Sequence, residues 1–402
     1  IVRGDESLRA AFDGFTYFRN ALAGSDGTAV SVPNMLTGAD YDNTVPYLEF
    51  VRSSFLERSL PRTLTEYGFR VDLLPIFNHS VYTDFSGTPP TGKRLRDWPA
   101  FFEEQALVAD LAVFRCVPHF AKELVYNRQR WLVSGLVKRF FDVKDAGGAP
   151  GDGGSGPAAS PGTKHARELA NSKSLIGRNR DARFIDEMLS TSGILGRTET
   201  FKFLHLNGLH PALVVNENLD YEVMDRTRAN MVRQGTGILK IAALFLERLE
   251  RLGVYDNSLV FIVGDHGSGL ADAGINVSPL TAAFNTRGPY KGNFKTFKAA
   301  GIPLILAKRM NARGALKTSD APVALGDMPR TVVEELGIEA EFPGRSMFGV
   351  REDEERERIY RAFVGPQEDV VYLAPLYEYA VNGHSWDDAS WRETGNVYTA
   401  PK

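Results

Sequence analysis

The sequence predicts an α/β fold, three layers (α/β/α) around a mostly parallel central sheet, with a small C-terminal antiparallel β appendage. Three observations predict it. Apolar runs of strand length recur along the chain. A long amphipathic segment separates two of them, and strand, helix and second buried strand together make a crossover that implies a parallel sheet covered on both faces. The tail alternates aromatic and polar residues, the pattern of antiparallel strands.

In chain order, the strand candidates are Phe15 to Leu22 (FTYFRNAL), Val71 to Phe77 (VDLLPIF), Phe201 to Leu206 (FKFLHL), Leu259 to Val263 (LVFIV) and Ile302 to Ala307 (IPLILA). Each is an apolar run short enough to be a buried strand. Between the third and fourth, Gly237 to Leu252 carries Ile238, Ile241, Phe245 and Leu249 at three- and four-residue steps, and Gly253 supplies a helix stop. Ala106 to Val137, rich in apolar residues but broken by Pro118, reads as a pair of amphipathic helices packed on the core. Its alternative, with Trp131 and the basic residues, is a helix pair lying on a bilayer. Ala146 to Gly162 (AGGAPGDGGSGPAASPG) has no apolar face to bury and reads as a flexible loop. From Glu354 onward the tail carries turn signals at Asn382-Gly383 and Thr394-Gly395. The expected organisation is one catalytic domain over residues 1–350 and a β-rich appendage over 351–402.

Composition narrows the function classes. The chain has 402 residues, 43% hydrophobic and 24% charged, an ordinary globular balance with enough length for a large core. Its 47 basic and 50 acidic residues give a net charge of −3, which makes no global electrostatic case for nucleic acid. A single cysteine, Cys116, excludes an internal disulfide and a cysteine-built zinc site. No apolar run approaches the roughly 20 residues of a membrane span.

Parallel sheets place ligands at the carboxyl ends of their strands, which directs attention to three strings. In Leu259-Val-Phe-Ile-Val-Gly-Asp265-His266-Gly267 a buried strand ends in Gly and sets a carboxylate beside an imidazole. That pair suits a borderline divalent cation, and equally an Asp cap with a hydrogen-bonded His. In Phe201-Lys-Phe-Leu-His205-Leu-Asn-Gly-Leu-His210-Pro211, His205 reads as a core histidine, whereas His210 stands beyond Gly208, where it can face the strand-end crevice. In Gly24-Ser-Asp-Gly-Thr28-Ala-Val-Ser31-Val-Pro33-Asn-Met-Leu-Thr37-Gly38 a small-residue loop offers hydroxyls at a helix start. Such a hydroxyl serves either an anion site or an N-cap.

Taken together, the strings resemble the sulfatase and alkaline-phosphatase superfamily, nearest its membrane-anchored phosphoethanolamine transferases and lipoteichoic acid synthases. GDHG at 264–267 is similar to the family's metal-binding (S/G)DHG, and HLNGLHP at 205–211 to its histidine loop. TAVSVPNMLTG at 28–38 matches the nucleophile segment: Thr28 lies five residues before Pro33 and ten before Gly38, two spacings that converge on one residue. Glu6-Ser7-Leu8-Arg9 resembles the family's E-(S/T)-x-R, in which the Glu ends the first strand and binds metal; Ile1-Val2 would be the stub of that strand. Val323 to Ile338 and Pro343-Gly-Arg-Ser346 are similar to the closing helix and turn. Two departures stand out. No further His follows the DHG motif before the next strand, Arg287, Lys291 and Lys295 being the nearest cations. The sulfatase Cys is replaced by Thr28, which argues against formylglycine chemistry.

The resemblance implies a divalent metal, Zn²⁺ or Mn²⁺ better than Ca²⁺, held by Asp265, His266, Glu6 and the Thr28 hydroxyl. It implies Thr28 as nucleophile, with His210 as acid or phosphoryl partner and Arg287 and Lys291 as substrate cations. The expected activity moves a phospho-head group (phosphoethanolamine or phosphoglycerol type) from a phospholipid to a surface lipid or glycan. The alternatives are a phosphate- or sulfate-ester hydrolase and a non-catalytic polymer-binding relic. The expected place is extracytoplasmic, at a membrane surface, with an anchor outside this chain.

Overall fold

The computed structural model describes residues 5–75, 80–82, 126–127, 130–131, 181, 184, 199–210, 212–267, 294–363, 365, 367 and 370–401. Two compact units divide the chain, one of residues 1–91 and 165–402 and one of residues 92–164. In the smaller, β4 (Tyr126–Asn127) and β5 (Arg130–Trp131) pair antiparallel, Tyr126 opposite Trp131. These two strands replace part of the helix pair expected over Ala106 to Val137, in keeping with the strand preference of Tyr and Trp. The rest of that segment, and the loop Ala146 to Gly162, lie outside the described residues.

The larger unit is built on a four-stranded sheet. Its strands are β1 (Phe15–Phe18), β9 (Val260–Val263), β10 (Ile305–Lys308) and β11 (Lys317–Ser319), in the order β11-β1-β10-β9. β1 and β11 are parallel, and β10 alone runs against its neighbours. Two further parallel pairs join β2 (Ala21–Leu22) to β12 (Val323–Ala324) and β3 (Arg70–Leu74) to β6 (Thr200–Leu204). The run Phe15 to Leu22 is therefore two strands in two sheets. Asn20, 2% exposed, marks the break: its amide donates to the carbonyls of Asp320 and Gly383.

Side-chain alternation sorts the sheet into two covered faces. Val260, Ile262 and Leu306 pack with Leu8 of α1 (Glu6–Ala11), with Phe12 at its C-cap, and with Leu239 and Leu246 of the long helix over Arg228–Arg251. Phe261, Val263, Ile305 and Ala307 face the other way, toward α2 (Thr28–Thr37) and α3 (Tyr47–Glu57). Helix α4 (Leu60–Glu66) packs with Val332 and Val333 beneath the same face. This is the three-layer α/β/α arrangement with a mostly parallel sheet.

The long helix, α5, begins nine residues before the apolar periodicity does, at the Thr227 cap, whose hydroxyl accepts the Asn230 N–H. It ends where expected. Gly253 takes φ +69°, its N–H bonds Glu250 O, and Val254 N–H bonds Leu249 O, a Schellman stop. Between β6 and α5 stands a hairpin of β7 (Leu213–Val215) and β8 (Tyr221–Met224) that short apolar runs did not signal. Helix α6 (Phe294–Gly301) precedes β10, and α7 (Met328–Glu335) follows β12.

The tail forms a three-stranded antiparallel sheet of β13 (Glu357–Ala362), β14 (Leu376–Asn382) and β15 (Trp391–Tyr398). Asn382-Gly383 ends β14, with Gly383 at φ +107°. Thr394-Gly395 is not a turn but an irregularity within β15, where the ladder shifts between Tyr377 and Tyr379. Glu378 explains it, because its carboxylate accepts from Thr394 Oγ1 and Asn396 Nδ2 across the shift.

Candidate active site

Helix α2 presents Thr28. All ten of its residues are buried, and its N-cap is Gly27, which offers no side chain. Thr28 is thus the first helical residue and not a cap. Its Oγ1 donates to Asp265 Oδ2 at 2.6 Å. The other two hydroxyls of the segment have structural duties. Ser31 Oγ donates to Ser25 O and accepts the Ser25 N–H; Thr37 Oγ1 donates to Pro33 O and accepts the Ala39 N–H. Pro33 lies inside the helix and has no N–H for Ala29 O. Tyr47 supplies the missing donor, its hydroxyl bonding Ala29 O at 2.8 Å from full burial, which pushes the phenol's pKa up.

Asp265 and His266 stand just past β9, as the strand-end reading expects. Their turn is held by close backbone approach. Gly264 N–H bonds Leu304 O, and Gly267 N–H bonds Ala300 O. A Cβ on Gly267 would stand 1.9 Å from Ala299 O, so only glycine fits there. The His266 ring bonds the Gly267 carbonyl through Nδ1 at 2.6 Å, which makes Nδ1 the protonated nitrogen and leaves a lone pair on Nε2. Nε2 lies 3.7 Å from Asp265 Oδ2. Two electron-pair donors thus face one another beside the Thr28 hydroxyl, an arrangement a shared cation satisfies. The donor set, carboxylate, imidazole and hydroxyl, fits a borderline divalent metal. Among the described residues no group of three or more His, Cys, Asp or Glu side chains forms such a cluster.

Glu6 opens α1 as an exposed first-turn residue, while Leu8 of that helix packs on the α5 face of the sheet. His210 sits on an exposed turn after β6, its N–H bonded to Asn207 O. The hydrogen-bonded group around Asp265 includes neither. His205 is half-buried at the end of β6, where its N–H continues the ladder to Leu74 O. Arg287 and Lys291 lie outside the described residues, and Lys295 belongs to α6.

The histidine loop is braced from below. Asp181, fully buried, accepts the N–H groups of Asn207 and Gly208 at 2.6 and 3.0 Å. Burial pushes its pKa up to about 7. Gln234 of α5, also fully buried, donates to Gly208 O and accepts from Val214 and Val215 N–H. No motif marks either residue in the sequence.

A family model described as Sulfatase matches residues 7–338. The chain belongs to the sulfatase family. It is therefore an enzyme of a superfamily of phosphate- and sulfate-ester hydrolases and transferases that generally depend on divalent metals. No curated protein matches it. Among solved structures it is similar to one described as Ps i-CgsB in complex with k-i-k-neocarrahexaose, at 13% identity over 96% of this chain and 79% of that one, TM-score 0.49. It is also similar to the phosphonate monoester hydrolase SpPMH from Silicibacter pomeroyi (14%, 95% and 81%, 0.46) and to the lipoteichoic acid synthase LtaP from Listeria monocytogenes (10%, 94% and 78%, 0.41). In this sulfatase-family chain the segment of Thr28, the histidine loop and the DHG turn all lie inside the matched residues.

One residue at the site lies beyond them. Gln367 Oε1 accepts the Ala29 N–H at the open end of α2, 3.0 Å away. Nothing in its sequence surroundings singles it out.

Proposed function

We propose that this sulfatase-family enzyme is a phosphotransferase that moves a phospho-head group from a phospholipid to a surface lipid or glycan through a phosphothreonine at Thr28. The observation that carries the reading is the Thr28–Asp265 hydrogen bond beside His266. A hydroxyl in the nucleophile segment, aimed at a carboxylate and free of capping work, is placed for displacement chemistry. Because that residue is a threonine, formylglycine is not available to it.

In the first displacement Thr28 Oγ1 bonds to phosphorus as the bond to the diacylglycerol oxygen breaks. The hydroxyl proton passes to Asp265 Oδ2, already its hydrogen-bond partner. The leaving oxygen takes a proton from His210, the role the family resemblance gives that residue. In the second, an acceptor hydroxyl bonds to phosphorus while giving its proton to His210. The phosphorus–Oγ1 bond breaks and Oγ1 regains its proton from Asp265. Asp265, His266 and Thr28 would hold the divalent cation, with Glu6 as a further ligand; bound there, it supplies Lewis acidity toward the phosphoryl oxygen. The donor set favours Zn²⁺ or Mn²⁺. The reading places the enzyme outside the cytoplasm at a membrane surface. Among the described residues no helix is long and apolar enough to cross a membrane.

A second reading, hydrolysis of phosphate or sulfate esters, is favoured by the family match itself. It differs only in water as the acceptor. Incubation with vesicles of phosphatidylethanolamine or phosphatidylglycerol separates the two. Diacylglycerol release with the head group found on an added lipid or glycan acceptor supports transfer; release of the free phosphorylated head group alone supports hydrolysis.

A further inference from the structure

We propose that Gln367, from the segment after β13, is a substrate-binding residue of the same site, donating from Nε2 to a non-bridging oxygen of the phosphoryl group attacked by Thr28. The inference rests on the Thr28 reading and adds a residue outside the family match, which ends at residue 338.

The geometry fixes the orientation of the carboxamide. Ala29 N–H can only donate, so the atom 3.0 Å from it must be Oε1, and Nε2 is the other end. A Cβ built on Gly27 would lie 2.8 Å from Nε2 and 3.0 Å from Cδ. The amide nitrogen therefore packs over the residue immediately before Thr28. Among the described residues, no acceptor takes a hydrogen bond from it, although Gln367 is half-buried. An amide donor held in place by its own oxygen, at the open end of the helix that carries the nucleophile, is suited to a developing anion.

The segment that carries Gln367 is fastened to the loop before Thr28. Arg361 N–H bonds Gly24 O, and Ser25 bridges to Arg361. Phe363 N–H bonds Asp26 Oδ1 at 3.2 Å, and Phe363 Cζ stands beside the Gly27 position. The C-terminal sheet thereby delivers one side chain to the first turn of α2.

The test compares wild type with Gln367→Glu, Gln367→Ala and Thr28→Ala, using the full chain supplied with Zn²⁺ or Mn²⁺. Inorganic phosphate binding is measured by calorimetry, and turnover with bis(p-nitrophenyl) phosphate. Gln367→Glu keeps the acceptor for Ala29 N–H but cannot donate, and it adds a negative charge; Gln367→Ala removes the donor without adding charge, so the alanine variant decides the role of Nε2. Phosphate affinity should fall by about tenfold or more in Gln367→Glu and to a lesser degree in Gln367→Ala. KM should rise by a similar factor with kcat changed less, since ground-state and transition-state contacts are lost together. Melting temperatures identify any variant that fails to fold, and the alanine variant then carries the comparison. Wild-type phosphate affinity in folded Gln367→Ala overturns the proposal, because a loss confined to Gln367→Glu is then charge repulsion. Full turnover by Thr28→Ala overturns the nucleophile reading instead, and phosphate loss in Gln367→Ala still supports the contact.

Discussion

Thr28 Oγ1 and Asp265 Oδ2 lie 2.6 Å apart across 237 residues of chain. The first turn of helix α2 and the end of strand β9 meet at this point. The helix is buried between the sheet and its neighbouring helices, and its first turn lies at the strand's carboxyl end. Gly27 occupies the N-cap, and backbone contacts of Gly264 and Gly267 hold the DHG turn, so neither duty falls to Thr28 or Asp265.

Metal should depend on this turn. Asp265→Ala and His266→Ala should each lose bound Zn²⁺ or Mn²⁺ by elemental analysis while melting close to wild type, because both side chains are partly exposed, at 19% and 29%. Glu6→Ala is the informative companion. Metal loss there would bring α1 to the site; full occupancy would leave Glu6 as the first-turn residue of α1.

Gly267→Ala should fail in a different way. Its Cβ has backbone oxygens of Ala299 and Ile302 at 1.9 and 2.6 Å, so the turn must move. A destabilisation of about 2 kcal/mol or more is expected in urea unfolding, together with loss of turnover, since the displaced turn carries Asp265 and His266.

Tyr47→Phe removes only a hydroxyl, but that hydroxyl serves the carbonyl orphaned by Pro33. With Ala29 O left buried and unpaired, stability should fall by about 1–3 kcal/mol. If thermal melting matches wild type, Ala29 O has found another donor.

The histidine loop should respond to pH. Asp181 has its pKa raised to about 7 by burial, so the native state holds its proton more tightly than the unfolded chain does. Its contribution to stability is complete below the ordinary carboxylate value and is lost as pH rises through about 7. Between pH 5 and 8 the melting temperature should decline, and Asp181→Asn should flatten that decline. An unchanged slope in the variant would remove Asp181 from the account.

Much of this site is written in short-range sequence. Strand β9 followed by Gly-Asp-His-Gly places a carboxylate and an imidazole at a strand end because both the apolar run and the tight turn are local features. The two spacings around Thr28 are local as well, and they select the hydroxyl that faces Asp265 over Ser31 and Thr37. The donor that Ala29 O lacks because of Pro33 comes from Tyr47, which no local pattern connects to it. Gln367, Asp181 and Gln234 act on backbone groups far away in sequence, and a lone amide or carboxylate has no pattern until the fold supplies its partner. The β7–β8 hairpin and the division of Phe15 to Leu22 between two sheets escaped for a related reason: periodicity reports burial, whereas strand pairing is decided by tertiary partners.

The measurement that tests the central claim most directly is peptide-mapped intact mass after brief incubation with phosphatidylethanolamine or phosphatidylglycerol vesicles and Zn²⁺ or Mn²⁺, without an acceptor. The account predicts a phospho-head-group adduct on Thr28. Thr28→Ala should abolish it, Thr28→Ser should keep some of it, and Ser31→Ala and Thr37→Ala should leave it in place at some cost in stability. An adduct on Ser31 or Thr37, or full turnover by Thr28→Ala, would contradict it.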